Sequence, residues 1–132
     1  MIKERLHEGL YKQLMNRGHL EVMLHGAEIS LRSINDETFS FSTPVYYGGN
    51  YIPHSVRNCL TQPAPFIVPY LKTNLKIDED NFSIHLICRE SLETLNPLSF
   101  MTHLEEFAWQ AEQWRFLLDR HDRDDRVYIK AS

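Results

Sequence analysis

The chain has 132 residues, 42% hydrophobic and 24% charged, with a formal net charge of -4. That length suits one domain with a core that needs no metal or disulfide staple, and the composition is that of a folded chain rather than a disordered one. The acidic balance without a long basic patch argues against nucleic acid as the main ligand, and no apolar run approaches the roughly 18 residues of a bilayer span.

Residues 2 to about 16 read as a first helix. Ile2, Leu6, Leu10 and Leu14 recur at four-residue steps, with Tyr11 and Met15 beside them. Arg17 then Gly18 supply the charge and stop residue of a helix C-terminus. Met1 to Glu8 mixes charge with Ile2 and Leu6, which is not a secretory-signal pattern.

From Leu20 the period changes to two. Leu20, Val22 and Leu24, then Ile29 and Leu31, then Phe39 and Phe41 alternate with polar residues or small breaks. Gly26 and Asn35-Asp36 mark turns between them. This predicts three short, half-buried strands in a meander. Pro44 is expected to end the third strand or to place its end at a sheet edge.

The stretch from Tyr46 to Pro69 contains Gly48-Gly49, Pro53, Pro63, Pro65 and Pro69, so no long helix runs through it. A short helical turn fits His54 to Leu60, where Val56, Cys59 and Leu60 share a face. Phe66, Ile67 and Val68 lie between prolines. They suit either a covered crossing loop or an exposed docking surface, and Val56, Leu60, Phe66, Ile67, Val68 and Tyr70 are assigned to a dimer interface.

Leu75 and Ile77 lead into the polar turn Asp78-Glu79-Asp80-Asn81, and Phe82, Ile84, Leu86 and Cys88 alternate on the other arm of a hairpin. Ile87 breaks the alternation and predicts local burial on both faces. Asn96-Pro97 then starts a long helix. Phe100, Leu104, Phe107, Ala111, Trp114 and Leu118 form its apolar stripe, to about Arg123, over some six or seven turns. Trp109 and Phe116 sit beside the stripe, where they widen the core face or meet a partner. Residues 121–132 are expected to form a charged tail outside a domain of residues 1–120. The fold class is α+β: helix, three strands, connector, two strands, long helix, with an antiparallel sheet flanked by helices.

Catalytic patterns are missing. There is no HExxH, GxSxG, Walker loop or GxGxxG, and no cofactor is implied. Seven histidines pair with no second His or Cys at ligand spacing. His103 and Glu106 are three apart on the long helix and could together touch a metal, but a solvated helix face accounts for them as well. Cys59 and Cys88 form no CxxC pair, so two free thiols in a reducing cytoplasm are expected.

The stretch Thr73-Asn74-Leu75-Lys76-Ile77-Asp78-Glu79-Asp80-Asn81-Phe82-Ser83-Ile84-His85-Leu86, followed by Leu104-Glu105-Glu106-Phe107-Ala108-Trp109-Gln110-Ala111-Glu112-Gln113-Trp114-Arg115, resembles the type III secretion chaperones of the Tir-chaperone (CesT/SycE-like) family. The likeness of element order, size and acidity spans roughly residues 2 to 120. It implies a bacterial cytoplasmic chaperone that is not an enzyme. Such a protein holds an extended segment of a secreted effector or gatekeeper protein without ATP. On that reading Ile2, Leu6, Leu10, Leu75 and Ile77 contact the segment. The resemblance also implies a second chaperone subunit. Prolines shorten the connecting helix around which homodimers of the family join, so homodimer and heterodimer both stay open. The alternative is a regulatory adaptor that binds a folded transcription or secretion-apparatus partner through the charged faces of the long helix and the tail.

Overall fold

The computed structural model describes residues 2–35, 37–62, 71–91 and 96–131, with side chains of the terminal helices described from residue 9 and up to residue 123. The elements are α1 (Ile2–Arg17), β1 (His19–Leu24), β2 (Ala27–Ser33), β3 (Thr38–Tyr47), α2 (His54–Cys59), β4 (Asn74–Asp78), β5 (Ser83–Ser91) and α3 (Pro97–Ala131). They form one five-stranded antiparallel sheet in the order β1-β2-β3-β5-β4. The α+β architecture is the one the apolar periods predict.

Local chemistry sets most boundaries. Gly18 follows α1 with φ 76°, and its amide donates to the Leu14 carbonyl at 2.9 Å. Only a residue without a Cβ takes that left-handed conformation at little cost. His25 and Gly26 both have positive φ and join β1 to β2 through a two-residue turn, the geometry that matches strand twist. Asn96 caps α3. Its Oδ1 accepts from the Ser99 amide at 2.9 Å while Ser99 Oγ accepts from the Asn96 amide at 2.9 Å. That reciprocal pair satisfies two amides that the helix start would leave open.

The core lies between the sheet and the helices. Phe100, Leu104, Phe107, Ala111, Trp114 and Leu118 are all buried, as the α3 stripe predicts, and they pack with Ile29, Leu31, Phe39, Phe41, Ile84 and Leu86. Phe41 is the hub: its ring centroid lies 5.0 Å from Phe39, 6.1 Å from Phe100 and 5.5 Å from Phe107. Tyr11 of α1 meets Phe100 edge-on at 5.9 Å. Tilted and edge-on contacts of this kind suit the ring quadrupoles.

Two expectations are refined. Pro44 does not end β3, which runs on to Tyr47, but the pairing with β2 stops at Ser30↔Ser42 and the end of β3 beyond it pairs only with β5, so Pro44 lies where that end of the strand meets a sheet edge. The register against β5 slips between Pro44 and Tyr46. A bulge is one of the few places in a sheet where a residue with no amide donor fits. It also turns Val45 and Tyr46 inward together, and both are buried. Second, α3 does not stop near Arg123 but continues to Ala131. Two hydrogen bonds tie the start of the stretch after residue 120 to the rest of the chain. Tyr46 Oη donates to Asp122 Oδ1 at 3.2 Å, and Ser55 Oγ donates to the His121 carbonyl at 3.2 Å. Among the described residues no helix is long and apolar enough to cross a membrane.

Candidate functional site

The first candidate surface combines α1 and the edge strand β1. Leu14 is fully buried and anchors α1, while Leu10 and Tyr11 are half-buried against the core. Leu20, Val22 and Leu24 make a half-buried row along β1 beneath it. Met23, on the other face of the same strand, is exposed. As an edge strand, β1 presents backbone groups that β2 does not pair. The result is an apolar shelf beside a strand that can take another strand. Ile2 and Leu6 were assigned to the same surface; their side chains lie outside the described residues.

Leu75 and Ile77 are elsewhere. They are half-buried in β4, the opposite edge strand. Four strand spacings separate the two edges, about 19 Å. Leu10 on the one side and Leu75 and Ile77 on the other therefore do not share one patch. Sequence reasoning also missed Leu20, Val22 and Leu24 as binding candidates. Their alternation was visible, but an edge position is a property of sheet order.

A clamp holds the approach to β4. Gln110 is fully buried on α3. Its Nε2 donates to the Leu71 carbonyl at 3.1 Å, and its Oε1 accepts from Thr73 Oγ1 at 2.7 Å. A buried amide so satisfied fixes the chain that enters β4. Beyond β4, Asp78 accepts from the amides of Asp80 and Asn81 and from Asn81 Nδ2, at 3.1, 3.3 and 2.8 Å. These bonds, the Asn81 side chain first, hold its carboxyl below the ordinary range.

The second candidate surface is a cavity of about 450 Å³ between α2 and α3, lined by Ser55, Asn58, Cys59, Gln62, Trp114, Leu117 and His121. Leu60 is half-buried beside it. Val56, assigned to a dimer interface, is instead 0% exposed and packs into the core of its own chain. Inward burial is the reason its side chain has nothing to offer a second subunit. Phe66, Ile67, Val68 and Tyr70 lie outside the described residues. Burial pushes the Cys59 thiol up. Arg57 joins α2 to the β4–β5 turn through a two-pronged pair with Glu79 at 2.9 and 3.3 Å, and its Nε donates to the Ile52 carbonyl.

The residues considered for catalysis lie on two elements, His85 on β5 and His103 with Glu106 on α3. His85 lies on the sheet face away from α3 and its Nε2 is 3.2 Å from Ser83 Oγ. His103 and Glu106 lie on α3, half-buried. Glu106 is close enough to Cys88 to help push that thiol up to about 12, after burial itself and Glu90. Both Glu106 carboxylate oxygens are buried without a hydrogen-bond partner. Among the described residues, no group of three or more His, Cys, Asp or Glu could hold a metal ion.

No family model matches this sequence, and no curated protein matches it. Solved structures do match in shape. A structure of the ExsC-ExsE complex aligns with TM-score 0.63 at 13% identity, over 86% of this chain and 93% of that one. The HopA1-SchA chaperone-effector complex aligns with TM-score 0.59 at 15% identity, over 86% and 92%. The type III secretion chaperone SycH of Yersinia pestis, solved with a stable fragment of YscM2, aligns with TM-score 0.54 at 12% identity, over 82% and 98%. The chain thus has the fold of the type III secretion chaperones, and the alignments run over nearly the whole of both partners.

Proposed function

We propose that this chain is a non-catalytic, ATP-independent type III secretion chaperone that holds an extended segment of a secreted effector or gatekeeper protein in the bacterial cytoplasm. The observation that carries the reading is the β1 edge, which among the described residues pairs only with β2, beside the half-buried row Leu20, Val22 and Leu24 and the α1 residues Leu10 and Tyr11. An extended segment gains backbone hydrogen bonds from the edge and buries alternate side chains on the shelf. Holding of this kind needs no reacting group and no nucleotide.

Ile2, Leu6 and Leu10 would line one end of that path, and Leu75 and Ile77 would serve a segment long enough to reach the other edge. A second chaperone subunit would meet the α2–α3 side through Leu60 and the connector residues Phe66, Ile67, Val68 and Tyr70. Whether that subunit is a second copy or a different small chaperone is a question for native mass spectrometry.

The test is co-expression with candidate secretion substrates, then limited proteolysis of the complex. The expected result is protection of one substrate segment, with Val22→Asp weakening capture by about tenfold or more, the equivalent of some 1.4 kcal/mol. No protected segment with any substrate would overturn the reading. A truncation after Arg123 that abolishes partner binding while leaving segment protection intact would favour the adaptor reading instead.

A further inference from the structure

The face of the sheet that points away from the helices carries a row of cationic side chains. The strand registers set His19 beside Arg32, Arg32 beside Ser40 and Ser40 beside Arg89, so one line crosses β1, β2, β3 and β5. Leu31, Phe39, Phe41 and Cys88 alternate with these positions and are buried, so the row itself points outward. His19, Arg32 and Arg89 are exposed. The two arginine backbones stand two strand spacings apart, about 10 Å, with the half-buried Ser40 midway. The adjoining row contributes two further hydroxyl groups, Ser30 and Ser42, which face one another.

Neither arginine is satisfied from within. Among the described residues, no ion pair or hydrogen bond reaches the guanidinium of Arg32 or Arg89. Arg57 and Arg115, by contrast, are engaged, the first with Glu79 and the second with the carbonyls of Gly26 and His25. Glu21, on the same face at the β1 edge, is diagonal to Arg32 and takes its bond from Ser30. Glu90 lies on the opposite face of β5, near Cys88. A chain with 18 acidic and 14 basic residues thus leaves two guanidiniums on a hydroxyl-lined face with no acid between them. Uncompensated charge of this kind steers a partner of the complementary sign.

We infer that this face binds an acidic segment of a protein partner, its carboxylates paired with Arg32 and Arg89 and Ser40 donating between them. Each guanidinium offers a planar fork that meets a carboxylate through two parallel bonds. An extended chain rises about 3.3 Å per residue, so acids three positions apart span the roughly 10 Å between the arginines. The strand amides beneath are committed to the sheet ladder, so no nest of free amides encloses a single small anion. The net charge of -4 works against a long polyanion such as nucleic acid. The face lies on the far side of the sheet from α1 and the row Leu20, Val22 and Leu24, so an acidic partner and a held segment can bind together.

Fluorescence anisotropy of the full chain tests this with a labelled peptide that carries Glu at every third position among Gly and Ser. The expected result is saturable binding that weakens with added salt. Arg32→Ser or Arg89→Ser should each weaken it about tenfold, and the double variant should abolish it. Both side chains are exposed, so the variants keep the fold. Val22→Asp, which alters the other side of the sheet, should leave the affinity unchanged. No binding would overturn the inference, as would equal binding by the same peptide with Gln for Glu or by the double arginine variant. Inorganic phosphate that competes as strongly as unlabelled peptide would overturn it in favour of a single-anion site. Loss with Val22→Asp but not with the arginine variants would overturn it by placing the peptide on the β1 shelf.

Discussion

β1 and β4 are both edge strands of one sheet, yet they are held differently. The chain entering β4 is fixed from above by Gln110, through Thr73 and the Leu71 carbonyl. Its exit is fixed by the Asp78–Asn81 turn and by Arg57 reaching Glu79. β1 has apolar contact instead: a half-buried row under α1, whose own anchor is Leu14. The polar bonds on that side hold the β1–β2 turn, through Arg115, and the end of α1, through Gly18, and the strand itself has one long, exposed side-chain bond, Ser30 Oγ donating to Glu21 Oε1 at 3.4 Å. Directional bonds lock one geometry, whereas apolar contact tolerates a newcomer that buries the same surface. On the proposed function the β1 side is the place for a segment to add, and the β4 side is a fixed support.

The largest effect should come from removing the α1 anchor. Leu14→Ala leaves a cavity between α1 and the sheet and should cost about 2–5 kcal/mol in denaturant unfolding, with segment capture falling in parallel. Breaking the opposite side sharpens the contrast. Gln110→Ala strands the Leu71 carbonyl and Thr73 hydroxyl and should cost about 1–3 kcal/mol. Hydrogen exchange should then rise in β4 more than in β1; equal rises in both would remove the distinction.

Cys88 reports on the closed side of the sheet from within β5. Its thiol is pushed up to about 12 from an ordinary value of 9.0, by burial first and by Glu90 and Glu106 next. A raised thiol value stabilises the fold below the unfolded value and is lost as pH climbs through the folded one. Between about pH 9 and 12 this contribution to stability should fall by roughly 1.4 kcal/mol per unit. Cys88→Val should flatten that part of the pH profile, and the native thiol should resist alkylation near neutral pH.

The smallest effect belongs to Arg57 and Glu79. The guanidinium holds the Glu79 carboxyl below the ordinary range. A lowered carboxyl supports the fold above the ordinary carboxylate range and loses that support as pH falls through the lowered value. The pair is exposed and screened by salt. Arg57→Ala should shift the acid unfolding midpoint only slightly, and less still at high ionic strength.

The parts of this molecule legible in the sequence are those set by local periodicity. The stripe from Phe100 to Leu118 entered the core as a unit because residues three and four apart share one side of a helix. The alternation in β2, β3 and β5 sorted Ile29, Phe41 and Leu86 inward for the same kind of reason. Asn96 announced a cap that depends only on Ser99, three residues on. Gln110 was not legible, because its partners Leu71 and Thr73 are far away in sequence. Pro44 was half legible: β2 pairing has ended by Ser42, so its end of β3 lies at an edge as the proline rule says, whereas the bulge arises only from pairing with β5.

The candidate surfaces divide along the same line. Leu10, Leu75 and Ile77 were identifiable as apolar positions on amphipathic elements, but only sheet order separates the first from the other two. Val56 shared a face with Cys59 and Leu60 on paper, and packing then sent it inward. Trp109 and Phe116, ambiguous beside the stripe, lie on the outer face once α3 is seated against Phe41. By itself the chain determined its elements and their buried faces, since helix and strand periods are properties of neighbouring residues. The tertiary structure alone decided which edges are locked and which side chains remain outside, since both depend on contacts between residues far apart in sequence.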